Sequence, residues 1–200
     1  MRKVSCAILA GGKGSRLGDD KALLDVEGVP LIETIVMGLR EISGDVMVVG
    51  THLSRFKFLK VRLVEDIVPD LGALGGICSA LKVAKHRHVV VVACDMPFIN
   101  MNLVRYLVLL STGYDVVMPY VGEEAEPLHA VYSKACLAAV QDSIEAGERR
   151  IVSFLPRVRV RDVREDEIQI LDPEFASFFN VNTREDLDRM KALLVERPRE

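Results

Sequence analysis

The sequence predicts an α/β layered fold on a mostly parallel sheet. Two observations lead there. Short apolar runs alternate with stretches whose apolar residues recur at helical spacing, as in strand–helix–strand units. The clearest run, Val89-Val90-Val91-Val92-Ala93, is apolar throughout and belongs in the middle of a parallel sheet. A third observation concerns position: a glycine loop, Gly50, Asp66 and Asp95 each follow a predicted strand, and such sheets bind ligands beyond the carboxyl ends of their strands.

The first strand is Val4-Ser5-Cys6-Ala7-Ile8-Leu9. After the glycine loop comes a short apolar piece, Ala22 to Val26, and a turn, Glu27-Gly28-Val29-Pro30. Pro30 suits a first helical turn, and Leu31, Ile32, Ile35, Val36 and Leu39 form one apolar stripe. Val46–Val49 reads as a second buried strand and Val61–Val64 as a third strand, ending in Glu65-Asp66. A loop with Pro69, Gly72, Gly75 and Gly76 is expected next, then a helix carrying Ile77, Ala80, Leu81 and Ala84. Beyond Asp95-Met96-Pro97, Asn100 is placed to cap a helix with Leu103, Leu107 and Leu110.

The second half breaks this rhythm. Strands at Val116–Pro119 and Leu128–Tyr132 flank a polar turn with Gly122, Glu123 and Glu124, the expected antiparallel part of the sheet. A helix with Leu137, Val140 and Ile144 closes at Gly147, and Arg149-Arg150 opens a further short one. Val158, Val160 and Val163 among arginines predict a strand with one wet face. Thr183 and Asp186 predict a capping box for the last helix. With no repeat, linker or low-complexity segment, residues 1–200 read as one domain.

Bulk properties bound the function. The chain is 50% hydrophobic and 28% charged, with net charge -3, which argues against nucleic acid as the main partner. Cys6, Cys78, Cys94 and Cys136 form no C-x-x-C pair and sit in apolar surroundings, so reduced core cysteines and a cytoplasmic protein are expected. No stretch is long enough to span a membrane and no signal peptide is read.

The chemistry centres on Leu9–Lys21, LAGGKGSRLGDDK. Gly11, Gly12, Gly14 and Gly18 let the backbone approach a ligand, and Lys13, Arg16 and Lys21 add positive charge. Backbone N–H groups beside cations suit a polyphosphate. The spacing is neither that of a P-loop nor the G-x-G-x-x-G dinucleotide fingerprint. Asp95, at the end of the central strand, is the candidate magnesium ligand, with an N-cap or turn role as the alternative. Arg16 and Lys21 would neutralise phosphate charge as pyrophosphate leaves, whereas Lys13 is equally a solvated cation. Asp66 is either a reader of base or ribose donors or a turn aspartate. His129 is read as a structural hydrogen-bonder ahead of a catalyst. On composition, Arg149, Arg150, Asn180 and Asn182 are surface or capping groups that could also meet an anionic second substrate.

Together these pieces resemble the molybdenum cofactor guanylyltransferase family of nucleotidyltransferases, over nearly the whole chain. The residues carrying the resemblance are LAGGKGSRLGDDKALL, Glu65-Asp66, Leu71–Gly76, Cys94–Pro97, Glu126–Tyr132, Ala146–Arg150 and Asn180–Thr183. Leu17 stands where Met is common, Gly75 where Ala is usual, and no Asn follows Val49-Gly50. The resemblance implies a three-layer Rossmann-like nucleotide-diphospho-sugar transferase fold and transfer of GMP from magnesium-bound GTP to molybdenum-bound molybdopterin. It implies that Leu9, Ala10, Gly11, Gly12 and Lys21 meet the nucleotide, Asp66 helps read it, and Asp95 holds magnesium. Arg16 would sit at the phosphates, Gly72 and Gly76 would admit the ligand, and Asn180 and Asn182 would face the pterin. A monomer is expected, with a cofactor-delivery protein or molybdoenzyme receiving the product. The alternatives are a CTP-using cytidylyltransferase, a sugar-phosphate nucleotidyltransferase, and a non-catalytic nucleotide-binding module.

Overall fold

The computed structural model describes residues 3–11, 21–67 and 71–196. In chain order its strands and helices are β1 (Ser5–Ala10), β2 (Asp25–Val26), β3 (Val29–Pro30), α1 (Leu31–Arg40), β4 (Asp45–Gly50), β5 (Arg62–Glu65), α2 (Gly72–Val83) and β6 (His88–Ala93). They continue with α3 (Met101–Leu110), β7 (Val116–Val121), β8 (Glu124–Ala125), β9 (His129–Ser133), α4 (Leu137–Glu145), β10 (Val160–Val163), α5 (Glu165–Ile168) and α6 (Arg184–Glu196).

One sheet runs β10-β7-β9-β6-β1-β4-β5, with β8 paired to β7. β1 lies parallel to β4 and β6, β4 to β5, and β7 to β10. β9 is antiparallel to both β6 and β7. The expected antiparallel part is therefore one reversed strand inside the sheet, together with the tight β7–β8 hairpin through Gly122, whose φ of 58 suits glycine. The valine run β6 is central, as its composition requires, with one parallel and one antiparallel neighbour.

Alternation along β1 builds both cores. Cys6, Ile8 and Ala10 face the α1 stripe, Leu103, Val104 and Leu107 of α3, and Met190 of α6. Ala7 and Leu9 face Leu74, Ile77 and Leu81 of α2 and Val140 of α4. That is a three-layer α/β/α arrangement.

Local signals set several boundaries. The Asn100 carboxamide oxygen accepts from the N–H groups of Asn102 and Leu103 at 2.9 and 3.2 Å, capping α3. Asp186 Oδ2 accepts from Thr183 N–H at 2.9 Å, and Thr183 Oγ1 accepts from Asp186 N–H at 3.1 Å. The expected loop at Gly72–Gly76 is instead the start of α2. Close packing on the sheet overrides helix propensity there: a β-carbon on Gly76 would lie 3.2 Å from both Leu9 methyl carbons. Val158 falls outside β10, which starts at Val160.

Candidate functional site

The carboxyl ends of β1, β4, β5 and β6 open on a cavity of about 890 Å³. Its wall takes Leu9 and Gly11 from β1 and the residue beyond it, then Val49, Gly50, Thr51 and His52 from the end of β4. Asp66 follows β5, and Gly72, Ala73 and Gly76 come from the first turns of α2. Ala93, Cys94 and Asp95 close β6, and Leu128 and Arg149 complete the rim. Backbone bonds carry the ladder to this edge: Asp66 N–H donates to Gly50 O (3.0 Å), Cys94 N–H to Leu9 O (3.1 Å) and Ala93 N–H to Leu128 O (3.1 Å).

A polar cluster stands beside Asp95. Lys21 Nζ donates to Asn182 Oδ1 at 2.6 Å and lies 3.5 Å from Asp95 Oδ2. Val181 N–H donates to the backbone oxygen of Asp95 at 2.9 Å, which fastens the Asn180–Asn182 segment to the end of β6. Both charged side chains are about one-fifth exposed. Burial raises the Asp95 carboxyl above its usual range, and the Lys21 ammonium opposes that shift without cancelling it. Asp66 is also raised, by burial first and by neighbouring Glu65 second. Its Oδ1 is enclosed and has no hydrogen-bond partner among the described residues. An enclosed acceptor of this kind is costly unless a donor arrives.

Of the expected site residues, Leu9, Gly11, Asp66, Gly72, Gly76 and Asp95 share the cavity wall. Lys21 and Asn182 join it through Asp95. Ala10 ends β1 between two wall residues, and Asn180 turns its amide N–H onto Phe178 O at 2.9 Å. Gly12 and Arg16, like Lys13, Gly14 and Gly18, lie outside the described residues. Arg149 reaches this cavity, while Arg150 lines a separate hollow with Arg149, Ser153 and Pro156. Sequence reasoning missed Thr51, His52, Ala73 and Leu128. The strand-end rule that singled out Gly50 would have found the first two if carried two residues further.

His129 is only 1% exposed and packs edge-on against Phe178, ring centres 5.1 Å apart. Its ring nitrogens have no hydrogen-bond partner among the described residues. Burial pushes its imidazole down to about 4, so its contribution to stability is full above pH 6.5 and is lost as pH falls toward 4. Three residues earlier, Glu126 has the opposite dependence. Burial, then Glu124, push its carboxyl up from 4.5 to about 7. The folded chain thus keeps a proton that the unfolded chain releases, and stability is lost as pH rises through that window. Glu126→Gln is expected to match wild type near pH 4 and to be more stable by about 1–2 kcal/mol above pH 7, allowing for solvent screening. Urea denaturation at several pH values checks this; a gap that does not widen with pH contradicts it.

All four cysteines are free, as their spacing predicted. No helix among the described residues is long and apolar enough to cross a membrane.

A mostly parallel sheet with a cavity at its strand ends is the arrangement of nucleotide-binding α/β proteins. Within that class, residues 6–160 match the model of the MobA-like NTP transferase domain. A probable molybdenum cofactor guanylyltransferase of Pelotomaculum thermopropionicum is 39% identical over 193 residues, 96% of this chain and 94% of its own. A molybdenum cofactor guanylyltransferase of Desulfosudis oleivorans is 30% identical over 97% of both chains. The solved structure of molybdopterin-guanine dinucleotide biosynthesis protein A from Archaeoglobus fulgidus superposes with a TM-score of 0.84 at 27% identity, covering 96% of this chain and 100% of that one. The chain belongs to the MobA-like NTP transferase family, and it is a nucleotidyltransferase.

Proposed function

We propose that the protein transfers GMP from GTP to molybdenum-bound molybdopterin, releasing pyrophosphate. The names of its relatives support the reaction. The observation that carries the site is the Lys21–Asp95–Asn182 cluster, set at the rim of a cavity that also holds the unpartnered Asp66 oxygen.

In this reading a phosphate oxygen of the acceptor forms a bond to the α-phosphorus of GTP. The bond from that phosphorus to the β-phosphate oxygen breaks, and pyrophosphate leaves with the electron pair. Such transfer needs positioning and charge stabilisation more than a protein nucleophile. The backbone of Leu9, Ala10 and Gly11 would lie along the nucleotide, with Gly12 assigned the same role, and Gly72 and Gly76 would admit the ligand by lacking side chains. Arg16 and Lys21 take the phosphates. Asp66 accepts from the N–H donors on the guanine edge, which would give its unpartnered oxygen a hydrogen bond. Asn182, with Asn180 beside it, faces the acceptor. Lys21 is held by Asn182 and Asp95, and taking a phosphate would mean sharing or exchanging those partners.

Asp95 fits a magnesium ion. Its carboxylate is held in an unfavourable, partly buried place with one counter-cation no closer than 3.5 Å among the described residues. Magnesium takes one or two carboxylates and fills its shell with phosphate oxygens and water. Bound there, the ion would supply charge neutralisation at the phosphates. A cytoplasmic location is part of the same reading, supported by the free thiols.

The test is a calorimetric titration of the protein with GTP, CTP and ATP, each with magnesium. GTP is expected to bind at least tenfold more tightly than the other two. Preference for CTP would move the assignment to a cytidylyltransferase, and binding of none would remove the nucleotide site.

A further inference from the structure

The cavity wall beside Asp66 is unusual in its backbone. His52 lies in the left-handed region (φ 53, ψ 42), where a side-chain-bearing residue is strained. Such a residue persists where its surroundings over-determine it, and here the surroundings are identifiable. Arg55 Nη1 donates to His52 O at 2.6 Å and to Thr51 O at 3.1 Å. The guanidinium carbon is itself seated 4.3 Å from the ring centre of Phe56, a fully buried side chain. On the far side, Leu53 N–H reaches Glu65 Oε1 at 3.5 Å. Arg55 is exposed and is a member of neither core, and both of these hydrogen bonds end on the loop.

What the loop faces is the second observation. Thr51 N and Asp66 Oδ2 stand 3.9 and 3.8 Å from the point that a β-carbon on Gly11 would occupy. Thr51, at the start of this wall, and the Asp66 carboxylate thus converge on one spot at the mouth of β1. A ligand edge entering there meets an acceptor on one side and this wall on the other.

We propose that Arg55 is a positioning residue for nucleobase selection: by tying the carbonyls of Thr51 and His52 it holds that wall against the base and keeps the base edge in register with Asp66. The inference rests on the guanylyl reading above. Arg55 is not among the residues of the cavity wall, so its loss should weaken base recognition and leave the chemical step alone. Without the clamp His52 can relax to an ordinary backbone conformation, and the wall retreats from the edge that Asp66 reads.

The experiment uses full-length wild type, Arg55→Ala and Arg55→Lys. It measures the KM for GTP and kcat with molybdenum-loaded molybdopterin. Calorimetric Kd values for GTP, ATP and inorganic tripolyphosphate, with magnesium, and thermal midpoints complete it. For Arg55→Ala, a roughly tenfold rise in KM and in the Kd for GTP is expected, as a small misplacement of a binding group produces. The GTP-over-ATP preference should shrink by a similar factor, with kcat and tripolyphosphate affinity within twofold of wild type. Arg55→Lys, whose ammonium can still reach a carbonyl, should recover part of the preference. An unchanged preference in a folded Arg55→Ala protein overturns the inference alone. So does a parallel fall in kcat, tripolyphosphate affinity and thermal midpoint, which would mark a general structural role. Wild type without any GTP preference overturns the guanylyl reading, and the inference falls with it.

Discussion

Asp95→Ala is expected to lose roughly 10²–10³-fold in turnover, the scale seen when one preorganised charge-stabilising group is removed, while its thermal midpoint stays at or above wild type. Two features of the site separate these effects. The structural link at this residue runs through its backbone, whose oxygen accepts from Val181 N–H, and alanine keeps that bond. The side chain, by contrast, is destabilised where it sits: burial raises its carboxyl, and Lys21 at 3.5 Å offsets only part of the cost. A carboxylate kept in such a place points to use rather than stability. Asp95→Asn sharpens the test, because it preserves shape and removes charge. It should fold normally, fail in turnover, and lose the upward shift in thermal midpoint that magnesium-GTP gives wild type. Full turnover by either variant would remove the proposed metal site.

How much of this was legible in the sequence differs by element. The α1 stripe, the β6 valine run and the caps at Asn100 and Thr183 were readable because each rests on local chemistry. A stripe, a fully apolar strand and a side-chain oxygen three residues from a free N–H all fall within one window. The start of α2 was not readable. Three glycines there look like a loop to any local rule, and what calls for one of them, Gly76, is the approach of Leu9 from a strand far away in sequence. The direction of β9 was likewise set at a distance, by its pairing with both β6 and β7.

The site divides in the same way. Lys21, Asp95 and Asn182 were singled out by motif or strand-end position, and the fold brings the Lys21 ammonium to 2.6 Å from Asn182 Oδ1 and 3.5 Å from Asp95 Oδ2. Thr51 and His52 carry no motif. Their place depends on a strained backbone held by Arg55, which sequence spacing does not report. His129 reads from sequence as a structural hydrogen-bonder ahead of a catalyst; Phe178 and the sheet enclose it, and its ring nitrogens have no hydrogen-bond partner among the described residues. Burial is a property of the packed chain, so residue type alone could not decide that case.

Gly50→Ala is expected to cost about 1–3 kcal/mol of stability, the usual range for forced overpacking, and to lower the thermal midpoint by several degrees, at roughly 2–4 °C per kcal/mol for a chain of this size. The added β-carbon would lie 2.5 Å from Ala10 O, 2.8 Å from its carbonyl carbon and 3.1 Å from Gly11 N. All three are backbone atoms, so no rotamer change relieves the contact. Ala10↔Gly50 is the last rung between β1 and β4, and opening it is the available escape. That movement would carry Thr51 away from Gly11 and spread the wall beside Asp66, so GTP affinity should fall along with stability. Gly44→Ala is the control. Nothing lies within 4 Å of its would-be β-carbon, and the variant should stay within about 0.5 kcal/mol of wild type. Equal thermal midpoints for the two variants would show that the β1–β4 rung yields without cost. A destabilised Gly50→Ala that still binds GTP at wild-type strength would show instead that the cavity wall does not depend on that rung.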